Sequence, residues 1–351
     1  MAELDPAFWS GRRVLLTGHT GFKGSWAALW LARMGATVTG LALAPDQTPA
    51  LYDLARVGQG ITSRLADLRD AKAVAAALEG LEPEIVLHMA AQPIVRASVE
   101  DPVATFAANI MGAAHLLDAL RARPAPQALL VITSDKVYAN DDAGRAFREG
   151  DPLGGKDPYS ASKAAAEIVT KSFARSFFAD TPVATARGGN VIGGGDFSRD
   201  RLVADIVRAV RAGESVTLRH PEATRPWQHV LDCLAGYLIY AQALVGRPDT
   251  PRALNFGPRP GGAEVSVGEL ATLGVKALGG RPWIHEPDPA SLEAKALGID
   301  ASLAKTVLGF ESRLDASEAV RLTMDWYARQ ARGEDARGLC LAQIADYEAR
   351  P

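Results

Sequence analysis

The run Arg13-Val-Leu-Leu-Thr17 passes directly into Gly18-His-Thr-Gly21-Phe-Lys-Gly24 and then into the helix-patterned Ser25-Trp-Ala-Ala-Leu-Trp-Leu. No other stretch restricts the fold so tightly, because a strand, a glycine turn and a helix follow in the order that opens a parallel sheet. Glycine suits such a turn. It adopts strained dihedrals, lets backbone approach a pyrophosphate with no Cβ between, and lets the helix pack close to the sheet. The helix N-terminus then presents unpaired N–H groups and its positive dipole end to phosphate. A dinucleotide is therefore expected on Gly18, His19, Thr20, Gly21, Phe22, Lys23 and Gly24. The spacing is G-x-x-G-x-x-G, one residue longer in its first gap than the pattern of many dehydrogenases.

Beyond the turn, short apolar runs alternate with Ala-rich helical segments, the sequence form of repeated βαβ units. Strands are expected near 13–16, 37–42, 84–89, 128–133 and 183–187, with helices near 22–34, 70–78, 102–120 and 160–176. Continuous apolar runs such as Ala128-Leu-Leu-Val-Ile-Thr133 suit strands covered on both faces. The fold class that follows is α/β, a Rossmann-type doubly wound parallel sheet with a smaller mixed C-terminal substrate lobe. The dinucleotide domain spans 1–190 and the lobe 191–351, with some chain crossing back. Helices near 202–212, 231–245 and 319–332 furnish the lobe, the last one closing the chain.

Composition adds exclusions. A net charge of −3 gives no general pull toward nucleic acid or acidic membranes, so phosphate must be met by local donors. The two cysteines, Cys233 and Cys340, lie too far apart to suggest a zinc site or a disulfide framework, and no metal is expected. No signal peptide and no membrane-spanning run is read, which makes the cytoplasm the expected location.

The second strand ends without an acidic residue for the ribose and without an arginine for a 2′-phosphate, which favours NAD. Asp67 stands ready either for the adenine edge or for a cap on the helix that begins near Asp70. The chemistry is read from Tyr159-Ser-Ala-Ser-Lys163, which stacks a phenol and an ammonium on one helical face. A neighbouring cation lowers a phenol's pKa, so Tyr159 is expected to exchange a proton with a hydroxyl while hydride moves to or from the cofactor.

With Gly18 to Gly24, His88-Met-Ala-Ala-Gln92, Ser134 and the Tyr159/Lys163 pair in view, the chain resembles the extended short-chain dehydrogenase/reductases that modify nucleotide sugars. His19 and Lys23 are bulkier than the residues usual in that superfamily's turn. The resemblance implies further cofactor contacts from Asp67, Leu68, Ala90, Ala91, Gln92 and Asn109. Within the superfamily, Ser134-Asp135-Lys136, Asp151-Pro-Leu-Gly-Gly-Lys-Asp-Pro-Tyr-Ser160 and Arg225-Pro-Trp-Gln-His-Val230 look like the CDP-glucose 4,6-dehydratase branch. That likeness implies Asp135 as the acid at the C6 oxygen and Lys136 as the base at C5, its amine kept neutral by a dry pocket and by Lys163. Ser134 is implied at the C4 hydroxyl. For the sugar nucleotide's phosphates it implies Asn190, while Arg201 and Arg225 offer guanidinium forks. The expected partners are a nucleotide sugar, CDP-glucose in this branch, and a second copy of the chain, as a homodimer or higher homo-oligomer paired through helices 102–120 and 160–176. A 4-epimerase, a dehydratase for another nucleotide and a non-catalytic dinucleotide-binding protein are the competing readings.

Overall fold

The computed structural model describes residues 3–259, 265–287 and 297–350. Seven parallel strands form one sheet: β1 (Arg13–Thr17), β2 (Thr37–Ala42), β3 (Thr62–Leu65), β4 (Ile85–His88), β5 (Ala128–Ile132), β6 (Val183–Gly188) and β7 (Ala253–Phe256). Their order is β7-β6-β5-β4-β1-β2-β3, so the direction of winding reverses between β1 and β4. Around the sheet run helices α1 (Phe22–Arg33), α2 (Ala71–Ala77), α3 (Pro102–Arg121), α4 (Pro158–Phe177), α5 (Leu202–Ala212), α6 (Val230–Gly246), α7 (Val267–Leu278), α8 (Ala316–Ala331) and α9 (Ala336–Glu348).

Successive strand residues point to opposite faces, and both faces are apolar. Leu15, Leu41, Val86, Leu129, Val131 and Val183 pack with α2, α3 and α4. Val14, Leu16, Ile85, Leu87, Leu130 and Ile132 pack with α1 and α6 on the other side. Asp70 caps α2 by accepting from the backbone N–H groups of Lys72 and Ala73.

Two strands of this sheet were not expected from the sequence. β3, Thr-Ser-Arg-Leu, is a polar edge strand with no apolar run to announce it. β7, Ala-Leu-Asn-Phe, pairs with β6 from far along the chain, after the lobe has begun. The chain past residue 190 thus returns to the large sheet through β7, through α6 against β5 and α1, and through α9 against α1. Helix α9 also corrects the expectation that the helix near 319–332 is terminal. Over the sheet's C-terminal edge stand α5 and α7, with short strand pairs Asn190–Ile192 with Trp227–His229 and Thr217–Leu218 with Ile284–His285.

Helix α3 corrects a further expectation, since it is long and apolar enough to cross a membrane by length and composition. Its apolarity has two destinations. Leu116, Leu117 and Leu120 enter the core, while Val103, Phe106 and Met111 face outward.

Candidate active site

At the end of β1 the chain turns sharply at Gly18, whose φ is +79° and whose N–H donates to Leu41 O at 2.9 Å. A Cβ on Gly18 would lie 2.8 Å from the Ala90 backbone, and one on Gly24 only 2.0 Å from Gly18 O. Both positions therefore require glycine. Gly21 is the N-cap of α1 and offers no side-chain cap, so the first N–H groups of the helix face outward. They open onto a cavity of about 1470 Å³ along the sheet's C-terminal edge. Every residue singled out above for cofactor, substrate or catalysis lines this cavity except His19 and Asn109.

The His19 side chain points back into the protein. Its Nε2 lies 2.7 Å from Ser63 Oγ, and its ring fills the space beside Gly40, where a Cβ would come within 2.4 Å of it. Burial pushes its pKa down to about 4, so the ring is neutral and wedges the turn onto β2 and β3. Asn109 sits in a single π turn of α3, Ala107–Met111. Its Oδ1 accepts from Gln92 N at 2.7 Å and its Nδ2 donates to Gln92 O at 3.0 Å and Ser162 Oγ at 2.8 Å. It ties the cavity wall to α4.

Asp67 lines the cavity in an ion pair with Arg69, which holds its carboxyl below the usual range; the cap belongs to Asp70. The second strand ends without an acid, as expected. Four residues past β2, after Pro45, the loop brings Asp46 to the cavity. The proline hid it, because the strand pattern ends before it.

Tyr159 and Lys163 stand on one face of α4, with the end of β5 against them. Lys163 Nζ donates to Ile132 O at 3.0 Å, and the Tyr159 phenol is in hydrogen-bonding contact with Ser134. Ser134 Oγ donates to Asp135 Oδ1 at 2.9 Å. Asp135 is 2% exposed, and its Oδ2 has no hydrogen-bond partner among the described residues. Lys136 follows on the same short turn, half-buried.

The electrostatics differ from expectation at two groups. Burial dominates at Tyr159 and holds its phenol above the ordinary value, against the pull of Ser134 and Arg201. Burial likewise brings Lys163 down to about 7, helped by Lys23 and opposed by Glu167. Lys136 is lowered as expected, first by burial, with Asp135 opposing and Arg225 and Arg201 assisting. The assisting cations are these arginines rather than Lys163.

Asn190 and the buried Arg225 line the substrate side, and Arg201 Nη2 donates to Pro93 O at 3.0 Å. Arg187, near the end of β6, is wholly buried against Glu167. His229 caps α6, accepting from Leu231 N. Sequence reasoning missed Arg199, Arg208, Arg211, Arg219 and His220 at the same cavity. The signal was present in part: Arg201, Arg208 and Arg211 recur at helical spacing, which gathers them on one side of α5.

The NAD dependent epimerase/dehydratase family matches residues 14–257. The chain belongs to that family. It is 40% identical to the CDP-glucose 4,6-dehydratase of Salmonella typhimurium over 98% of each chain. It is 30% identical to the dTDP-glucose 4,6-dehydratase of Streptomyces antibioticus, covering 90% of this chain and 92% of that one. Among solved structures, the UDP-glucose 4-epimerase of Thermus thermophilus in complex with NAD aligns with a TM-score of 0.78 at 28% identity, covering 92% of this chain and 99% of that one. NAD is the family's cofactor, and the cavity suits it. The uncapped N-terminus of α1 and the glycines that keep the turn free of Cβ atoms are what a pyrophosphate requires.

Proposed function

We propose that this protein removes water from CDP-glucose to give CDP-4-dehydro-6-deoxyglucose, with NAD restored in each cycle. The observation that carries the reading is Asp135 and Lys136 side by side at the end of β5, lining the same cavity as Tyr159 and Lys163. An epimerase needs no such acid and base. The 40% identity with a CDP-glucose dehydratase over 98% of each chain supports the choice of nucleotide.

NAD, when bound, supplies the hydride acceptor at C4 and the hydride that finally reaches C6. Burial alone keeps Tyr159 a phenol; beside the positive ring of bound NAD its phenolate would be favoured, and in that form it takes the C4 hydroxyl proton while Ser134, in contact with it, holds that hydroxyl. The C4 ketone acidifies the C5 proton. Lys136, whose burial favours the neutral amine, removes it, while Asp135 protonates the departing C6 oxygen. The two groups thus deliver one water as the C5–C6 double bond forms, and the Lys136 ammonium returns its proton to C5 as C6 takes the hydride. Thr20, Phe22, Lys23, Leu68, Ala90, Ala91 and Gln92 hold the dinucleotide with the glycines, and Asp46 is the carboxylate for the adenosine ribose. Asn190, Arg201 and Arg225 take the substrate's pyrophosphate. Outside β7, α6 and α9, the chain from 191 onward forms the nucleotide-sugar lobe.

The working unit we propose is a homodimer. Val103 on α3 and Ile168 on α4 are 75% and 60% exposed, and Phe106 and Met111 on α3 and Phe177 on α4 are exposed apolar side chains on the same two helices. A second copy covers them by bringing the same two helices into a four-helix bundle. We assign the enzyme to the cytoplasm, where Cys233 and Cys340, both buried and free, remain thiols.

Incubation with NAD and, separately, with CDP-, dTDP-, GDP- and UDP-hexoses tests the reading by mass spectrometry. Loss of water from CDP-glucose is expected. Isomerisation without change of mass would select the epimerase instead.

A further inference from the structure

The Ser134–Lys136 turn is held at both ends by one buried ion pair outside the cavity. Glu167 and Arg187 have fully buried side chains, with Arg187 Nε 2.7 Å from Glu167 Oε1 and Nη2 2.5 Å from Oε2. On one flank of the turn, Thr133 Oγ1 donates to Glu167 Oε1 at 2.7 Å. On the other, Arg187 Nη1 donates to Tyr138 OH at 2.9 Å, and that hydroxyl donates to Asn255 Oδ1 at 2.6 Å. Glu167 lies four residues beyond Lys163, which lies four beyond Tyr159, so one face of α4 carries all three. Through them the helix grips three successive residues: Lys163 takes Ile132 O, Glu167 takes Thr133, and Tyr159 meets Ser134.

We propose that Glu167 and Arg187 are positioning residues for the elimination step, acting through Thr133 and Tyr138 on Asp135 and Lys136. A buried ion pair is weak evidence for stability, since apolar residues of similar volume often serve as well. Beyond one bond from Arg187 Nη1 to Glu149 O at 3.1 Å, this one directs its remaining hydrogen bonds to the two residues that bracket the acid and the base. Elimination makes the stricter demand on that turn, because Asp135 must reach the C6 oxygen while Lys136 reaches the C5 proton. A displacement of about 1 Å in such a geometry costs on the order of a hundredfold in rate.

The inference rests on the dehydratase reading, and its test separates the two. Thr133→Val and Tyr138→Phe each cut one link and leave the ion pair in place. In single turnovers with CDP-glucose, each is expected to slow water loss about tenfold or more while cofactor reduction stays within about twofold, so reduced cofactor accumulates. KM for CDP-glucose stays level, and Thr133→Ser, which keeps the hydroxyl, restores the rate. Backbone hydrogen exchange is expected to quicken in 134–139 and not in α4. Unchanged water loss in both folded variants overturns the proposal, as does equal slowing of cofactor reduction and water loss. If the unaltered protein dehydrates no nucleotide sugar, the functional reading fails, and exchange alone decides the clamp: unchanged protection of 134–139 overturns it and faster exchange sustains it.

Discussion

Lys136 is the side chain on which the product depends. Its amine is driven toward neutrality chiefly by burial, with Asp135 opposing and Arg225 and Arg201 assisting. As a base it works only when neutral, so the elimination rate should rise with pH as Lys136 loses its proton. Lys136→Ala is expected to keep C4 oxidation and to slow water loss about 10³-fold. Lys136→Arg should be equally poor, because a guanidinium stays charged; rapid-quench measurement of both steps checks the pair, and turnover near the unaltered rate in either variant contradicts the base role. The residue types at this site were legible from the sequence, since Ser134-Asp135-Lys136 and Tyr159/Lys163 are motifs. Their environments were not. The depth that raises the Tyr159 phenol and brings Lys163 to about 7 comes from packing around α4, which spacing does not express.

At the scale of elements, the glycine turn works because its two faces do different things. Its backbone and uncapped helix end meet the cavity, while His19 leans into β2 and β3. Gly40 makes room for that ring, which explains how this turn accommodates a histidine. Gly40→Ala should lower stability by about 1–3 kcal/mol through overpacking, and adding His19→Ala should recover most of that loss. Thermal melts of the two single variants and the double variant check the coupling; simple additivity would count against it. The turn, its strand and its helix could be read from order and spacing alone. The direction of the His19 side chain could not, nor could β3 and β7. β3 is too polar for a hydrophobic pattern, and β7 reaches the sheet only through long-range pairing with β6.

For the whole molecule, the returning chain is fastened by Asp232 in α6. Its carboxylate accepts from Arg313 N at 2.7 Å, Leu314 N at 3.2 Å and Tyr347 OH at 2.7 Å, linking the sheet to the C-terminal helix. Burial nonetheless raises its pKa from 3.8 to about 6. A raised native pKa means this group's contribution to stability is complete below about pH 3.8 and is lost as pH climbs through about 6. Asp232→Asn should therefore gain on the unaltered protein, by on the order of 3 kcal/mol, between pH 4 and pH 7. A pH-independent difference in denaturant titrations contradicts this. The apolar surface of α3 and α4 makes a second prediction at this scale. Val103→Glu with Ile168→Glu should shift the sedimentation coefficient from dimer to monomer while leaving each fold intact; an unaltered dimer would place the interface elsewhere.

The central claim is that hydride leaves C4 and returns to C6 around the loss of one water. CDP-glucose carrying deuterium at C4 tests it in one measurement, by mass spectrometry and NMR of the product formed with NAD. The account predicts a product lighter by one water with the deuterium now on C6. A product of unchanged mass, with deuterium still at C4, would contradict it.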